Sequence, residues 1–278
     1  MSVTRTQITP TTGVEIVGLT GGALLDPAVA ADTLAALDER GVVIFREANV
    51  TDDELVALSR LLGDVVPPAR GAVEGHPEVQ AITRDASKSK MAAYREATFW
   101  WHFDGATDTV PDKCTLLTAR EISHDDDGDT EFANVYAAYD ALPDDEKAGL
   151  AGVRVVHSFA ASQLRVYPSP SERERASWDR IPSREHPLVW HRRSGRRSLL
   201  LGATAGEVVG RPADEGESLL DRLLTWAAQP QFVVRHKWRR GDLVIWDNTG
   251  MLHRALPYGE TSSRLMHRTS IAGDEAIS

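Results

Sequence analysis

The chain predicts a mainly β fold with covering helices, built on a jelly-roll core of the double-stranded β-helix kind. Two observations carry this expectation. From Trp100 onward, short strand-like segments bounded by glycine, proline or charged clusters succeed one another. A single clear helical pattern interrupts them, and the other helical patterns fall in the first 65 residues. Many short strands with a few helices fit a double sheet closed on itself, whereas regular strand–helix alternation would have indicated a parallel α/β sheet.

The N-terminal part reads as a covering layer. A helical pattern over 29–40 and another over 52–62 flank the apolar run 41–45, a short buried strand. Thr51 precedes the second helix and Glu54 follows it by three residues, the spacing of a capping box. Residues 84–99 begin polar and basic, with Lys88, Lys90 and Arg95, and read as an active-site loop. Strands are expected over 114–122, 130–134, 153–159, 186–191, 198–201, 232–238, 243–246 and 264–271. The helix among them spans 216–229, with Leu219, Leu220, Leu223, Leu224 and Ala227 on one face. Residues 161–185 are rich in Ser, Pro, Arg and Glu, too long for a plain connector, and are expected to form a lid. Residues 1–278 are treated as a single domain, since all-β folds of this size often are.

Composition narrows the function classes. A net charge of −10 argues against general nucleic-acid binding. Cys114 is the only cysteine, so no intrachain disulfide can form. Nothing at the start resembles a secretory leader, and no apolar run approaches the ~18 residues of a membrane span. A cytoplasmic enzyme or binding protein with neither nucleic-acid nor membrane partner is expected.

His102-Phe103-Asp104 carries the first chemical signal. In an extended segment residues i and i+2 share a face, so His102 and Asp104 would point together while Phe103 points away as an apolar anchor. Alone, His-x-Asp is a weak motif and fits a surface pair equally well. The distal block 241–255 strengthens it: the apolar run Leu243-Val244-Ile245-Trp246 enters a glycine-containing turn that delivers His253. Two His and one carboxylate occupy one face of an octahedral ion and leave three adjacent positions open, which suits ferrous iron binding an oxo-acid and O2. Arg264 and Arg268 follow. In an extended 264–269 they would share a face with Met266, with no acidic residue between Ser262 and Ile271 to neutralise them. Two inward arginines call for a bound anion, and a dicarboxylate supplies one.

His102-x-Asp104, Gly241-Asp-Leu-Val-Ile-Trp-Asp-Asn248, His253 and Arg264-Leu-Met-His-Arg268-Thr together resemble the Fe(II)/2-oxoglutarate dioxygenases of the taurine dioxygenase and 2,4-dichlorophenoxyacetate dioxygenase superfamily. The resemblance covers roughly residues 10–274. It implies His102, Asp104 and His253 as ligands of Fe(2+), with 2-oxoglutarate and O2 as cosubstrates. It places the far carboxylate of 2-oxoglutarate on Arg264, and its near carboxylate and the substrate's acidic group beside Arg268. Gly128-Asp129-Thr130 resembles the segment whose threonine contacts 2-oxoglutarate, which implies Thr130. Asp104 stands where halogenases of this type carry a small residue, which implies hydroxylation, desaturation or oxidative cleavage with release of succinate and CO2. A homo-oligomer is implied by resemblance alone. The chain departs from the family in the run Gly105-Ala106-Thr107-Asp108 and in the acidic stretch 123–127.

The substrate expected is small and carries a carboxylate or sulfonate. Lys88, Lys90, Tyr94, Arg95, Trp100 and Trp101 before the metal motif, and Arg165 and Tyr167 in the lid, are candidates for its pocket. Against this stand core packing for the tryptophans and a solvated loop for the lysines. His76, His124, His157, His186, His191, His236 and His267 have no ligand-like spacing and read as structural or surface residues. Two other classes remain open at this stage: a jelly-roll module that holds a metal and 2-oxoglutarate without redox chemistry, and a zinc hydrolase using the same His/Asp/His set.

Overall fold

The computed structural model describes residues 3–89, 92–123 and 127–278, without the side chains of residues 93 and 94. A nine-stranded sheet forms one wall, in the order Thr4–Gln7, Val14–Val17, Val42–Phe45, Leu243–Asp247, Cys114–Glu121, Leu265–Ile271, His76–Ile82 and Ala72–Val73, with Val65–Val66 also paired to Leu265–Ile271. All its pairings are antiparallel except that of Val14–Val17 with Val42–Phe45. A three-stranded sheet, Val233–His236, Thr130–Asn134 and Met251–Ala255, forms the second.

The space between the two sheets is filled from both. Val244, Trp246, Leu117 and Met266 come from the large sheet, and Phe132 and Met251 from the small one. This is the jelly-roll core that the strand pattern predicted. A second apolar cluster joins the large sheet's other face to helices Pro27–Arg40 and Asp52–Leu62, through Phe45, Leu116, Ile245, Leu37, Leu55 and Leu58. A third packs Ala133 and Leu252 of the small sheet against helix Ala213–Ala227 and the strands around Val189–His191.

Local chemistry sets these boundaries. Helix Asp52–Leu62 has the expected capping box between Thr51 and Glu54. Helix Pro27–Arg40 stops at Gly41, which adopts a left-handed φ of 71°. The expected strand 153–159 is shorter, Arg154–His157, because Ser158 accepts a hydrogen bond from Ala161 N and caps a helix over Phe159–Leu164.

Residues 161–185 are not a plain loop. They hold helix Glu172–Trp178, with a capping box between Ser171 and Glu174, and Trp178 at its end is buried. Within 84–99 a 3₁₀ helix spans Ala92–Phe99. Strand His76–Ile82 carried no alternation clear enough to predict it, since its burial owes much to pairing with Leu265–Ile271. Among the described residues, no helix is long and apolar enough to cross a membrane.

Candidate active site

His102 and His253 meet through the backbone. His102 N donates to His253 O at 3.0 Å and His253 N donates to His102 O at 2.8 Å, an isolated antiparallel bridge that sets the two rings 4.2 Å apart. The extended geometry considered for His102-Phe103-Asp104 is confined to that bridge. Asp104 follows in a turn that includes Gly105 at φ +77°, so it is aimed by the turn and not by strand alternation. Phe103 does point away, into the third apolar cluster. Candidate ligand atoms of His102, Asp104 and His253 all lie within 4.8 Å of one another, so one ion can touch all three.

Neighbouring hydrogen bonds and an ion pair orient this set. His102 Nδ1 lies 2.8 Å from Trp100 O; donating there fixes the tautomer and leaves Nε2 free to ligate. The Asp104 carboxylate accepts from Thr115 Oγ1 at 3.0 Å and forms an ion pair with Arg268, Nη2 at 2.9 Å. Thr115 Oγ1 in turn accepts from Asn248 Nδ2 at 2.8 Å, and Asn248 Oδ1 accepts from Trp246 Nε1 at 2.8 Å. The Trp246-Asp247-Asn248 block is thereby tied to a residue more than a hundred positions away. Thr115 and Asn248 are positioning residues that sequence reading missed; Asn248 lay inside a quoted motif but had no evident partner.

Electrostatics keep the three groups in their ligating forms. Burial alone would raise the Asp104 carboxyl, but Arg268, His253, His102 and the Thr115 hydroxyl outweigh it and hold the group well below the usual carboxylate range. Burial, together with the neighbouring His102, holds His253 well below the usual histidine value. Burial lowers His102 as well, against the opposing pull of Asp104.

Arg264, Arg268 and Thr130 line one cavity of about 60 Å³ with His102 and His253. Arg264 is buried, its guanidinium 4.8 Å from the Tyr258 ring, and among the described residues it makes no ion pair. Its side chain lies on Gly128, where an added Cβ would stand 2.8 Å from Cδ. Thr130 Oγ1 accepts from Trp238 Nε1 at 2.9 Å, which frees its own proton for an acceptor in the cavity. The expected shared face of Arg264, Met266 and Arg268 is only partly right. The strand is Leu265–Ile271 with a register shift between Leu265 and Met266, so Arg264 lies beyond the regular alternation. Its guanidinium reaches the cavity nonetheless. Residues His267 and Thr269 turn to the other face, toward Asp52 and Ser59 of helix Asp52–Leu62.

Arg268 also borders a larger cavity, about 770 Å³, walled by Pro68, Phe159, Trp178 and Ile181. That volume is in the range of small-molecule sites. Trp178 and Ile181 belong to the 161–185 segment, which thus lies over a cavity as a lid would. Asp108 and Asp112 face the same space, and burial raises both carboxyls.

The remaining candidates separate. Arg95 lines the smaller cavity. Trp101 is buried in the third apolar cluster, whereas Trp100 is exposed and stacked near Arg165 at 5.8 Å. Lys88 pairs with Glu121 on the surface. Tyr167 is exposed, 6.4 Å from the Trp178 ring. Lys90, His124 and the Tyr94 side chain lie outside the described residues. His157, His186 and His236 are buried, His236 beside Asp242 at 3.2 Å, away from the metal-type cluster.

Comparison with known proteins points to one family. The family profile described as taurine catabolism dioxygenase TauD, TfdA family matches residues 4–270. The alpha-ketoglutarate-dependent 2,4-dichlorophenoxyacetate dioxygenase of Burkholderia sp. (strain RASC) is 33% identical over 263 residues, 90% of this chain and 87% of that one. The alpha-ketoglutarate-dependent sulfate ester dioxygenase of Pseudomonas putida is 29% identical over 274 residues, 95% of this chain and 88% of the relative. The crystal structure of AAD-2 in complex with Mn(II) and N-oxalylglycine superposes with a TM-score of 0.82 at 28% identity, covering 100% of both chains.

Proposed function

This chain belongs to the TauD, TfdA family of 2-oxoglutarate-dependent dioxygenases, and from that premise we propose that it uses Fe(II), held by His102, Asp104 and His253, to oxidise a small anionic organic molecule. When bound, iron and 2-oxoglutarate supply the oxidising chemistry, consuming O2 and releasing succinate and CO2 as the substrate is hydroxylated, cleaved or desaturated. The rest is binding and positioning by the chain itself.

One observation carries the reading: Arg264, buried without an ion pair, opens into the same cavity as the His/Asp/His cluster. A guanidinium buried this way is costly unless an anion meets it. A dicarboxylate that reaches the metal at one end and Arg264 and Thr130 at the other satisfies both. A zinc hydrolase would leave Arg264 and Thr130 without work. Neutral histidines and an ionised Asp104 present the donors that a divalent ion requires.

The substrate belongs in the larger cavity. Its apolar wall of Pro68, Phe159, Trp178 and Ile181 covers a hydrocarbon or ring, and Arg268 at the boundary between the two cavities meets its acidic group. Relatives named for a phenoxyacetate and for sulfate esters support an anionic substrate. The lid over this cavity excludes water from the reacting carbon.

The test is aerobic incubation with Fe(II), 2-oxoglutarate and a panel of aryloxy acids, sulfonates and sulfate esters. Succinate and oxidised product should form in equal amounts with at least one anion. Turnover that needs zinc and proceeds without O2 would return the hydrolase to favour.

A further inference from the structure

Arg95 is the third arginine of the inner cavity, and the proposed function gives it no task. It sits on the Ala92–Phe99 turn of 3₁₀ helix, seven residues before His102, and is 9% exposed. Its Nη2 donates to Ala81 O at 3.2 Å, and its Nε is buried without a partner. Among the described residues no carboxylate pairs with it. Burial, and then Arg268, lower it to about 10. A buried guanidinium with an idle donor, in one cavity with two other arginines, marks an unfilled demand for an anion.

Its place in the cavity selects which anion. Arg95 reaches the Ala81 carbonyl, Ala81 pairs with His267 next to Arg268, and Arg268 Nη2 lies 2.9 Å from Asp104, so Arg95 stands toward the metal end. Arg264, on Gly128 and Tyr258, stands toward the other. Arg268 is already engaged with Asp104 and borders the substrate cavity.

We infer that Arg95 is a second cosubstrate-binding arginine, which holds the carboxylate of 2-oxoglutarate adjoining the keto group while Arg264 holds the far one. This rests on the 2-oxoglutarate reading above. Arg95 adds to Arg268, which borders both cavities and can also meet the substrate's acidic group. Three guanidiniums and a divalent ion outweigh Asp104 and dianionic 2-oxoglutarate by two charges, and an anionic substrate lessens that excess.

Calorimetric titration of Mn(II)-loaded protein, which does not turn over, separates the possibilities. Arg95→Gln should weaken 2-oxoglutarate by about 10- to 100-fold, the scale of one lost charge-assisted contact. Arg95→Lys should recover part of the loss, and Mn(II) affinity should not move. With 2-oxobutyrate, which has only the keto-adjacent carboxylate, the Arg95→Gln penalty should persist and the Arg264→Met penalty should vanish. Unchanged 2-oxoglutarate binding in Arg95→Gln, or a penalty that disappears with 2-oxobutyrate, overturns the assignment while leaving the functional reading intact. Failure of the wild-type Mn(II) protein to bind 2-oxoglutarate at all overturns both.

Discussion

His102 and His253 exchange both of their backbone hydrogen bonds, at 3.0 and 2.8 Å, although 150 residues separate them. The two histidines are therefore brought together by a β-bridge, His102 being further oriented by Trp100 O, and Asp104 depends on a turn and on its Thr115 and Arg268 partners. The sheet supplies a rigid pair and the second sphere completes the set.

The Thr115 hydroxyl joins Asn248 to Asp104, so its loss should loosen the carboxylate without removing a ligand. Thr115→Val should weaken Mn(II) binding by roughly 10- to 100-fold, as second-sphere changes commonly do. Competition against a coloured chelator measures it. An affinity equal to wild type would show that Arg268 alone orients Asp104.

Gly128 lies at φ +76°, and a Cβ there meets Arg264 Cδ at 2.8 Å. Gly128→Ala should displace the guanidinium and reduce 2-oxoglutarate affinity about tenfold or more, as expected for a disturbed charged contact. Mn(II) affinity should stay unchanged, because no ligand moves. Calorimetry on the Mn(II) protein reads both quantities.

Trp178, in the 161–185 segment, walls the larger cavity. Trp178→Ala should raise the KM for the oxidised substrate by about tenfold or more, consistent with removal of an apolar wall worth ~1–3 kcal/mol. Succinate formed in the absence of that substrate should stay near wild type. A change confined to the KM for 2-oxoglutarate would place Trp178 against the cosubstrate instead.

Burial drops His157 from 6.5 to about 3, with His186 adding to the effect. Between those values the unfolded chain holds a proton that the folded one refuses. Stability conferred by the neutral folded form is therefore lost progressively as pH falls below 6.5, at up to ~1.4 kcal/mol per unit. In His157→Phe, urea denaturation across pH 7 to about 4 should show a shallower acid-side decline. An unchanged slope would mean that other buried groups carry it.

The sequence made the architecture legible because it rests on short-range signals, and it pointed to His102, Asp104 and His253 through the resemblance to a known family. Short segments bounded by glycine, proline or charged clusters announced the strands at 114–122 and 130–134, and the Thr51/Glu54 capping box announced helix Asp52–Leu62. What escaped depends on long-range pairing. Strand His76–Ile82 owes its place to Leu265–Ile271, and no local pattern reports a partner almost two hundred residues away. The Thr115–Asn248 link is invisible for the same reason. A β-bulge breaks the alternation that placed Arg264 and Arg268 on one face, so that expectation reached the right cavity through the wrong geometry. Arg95 stood among several basic residues of equal standing, and only its burial separates it from Lys88.

Anaerobic titration of the metal-free protein, first with Fe(II) and then with 2-oxoglutarate, tests the central claim most directly. A weak visible charge-transfer band should appear only when both are present, and both Asp104→Ala and Arg264→Met should abolish or greatly weaken it at the same concentrations. Absence of the band in the wild-type protein, with zinc binding tightly in its place, would contradict the assignment of His102, Asp104 and His253 as an iron site built for 2-oxoglutarate.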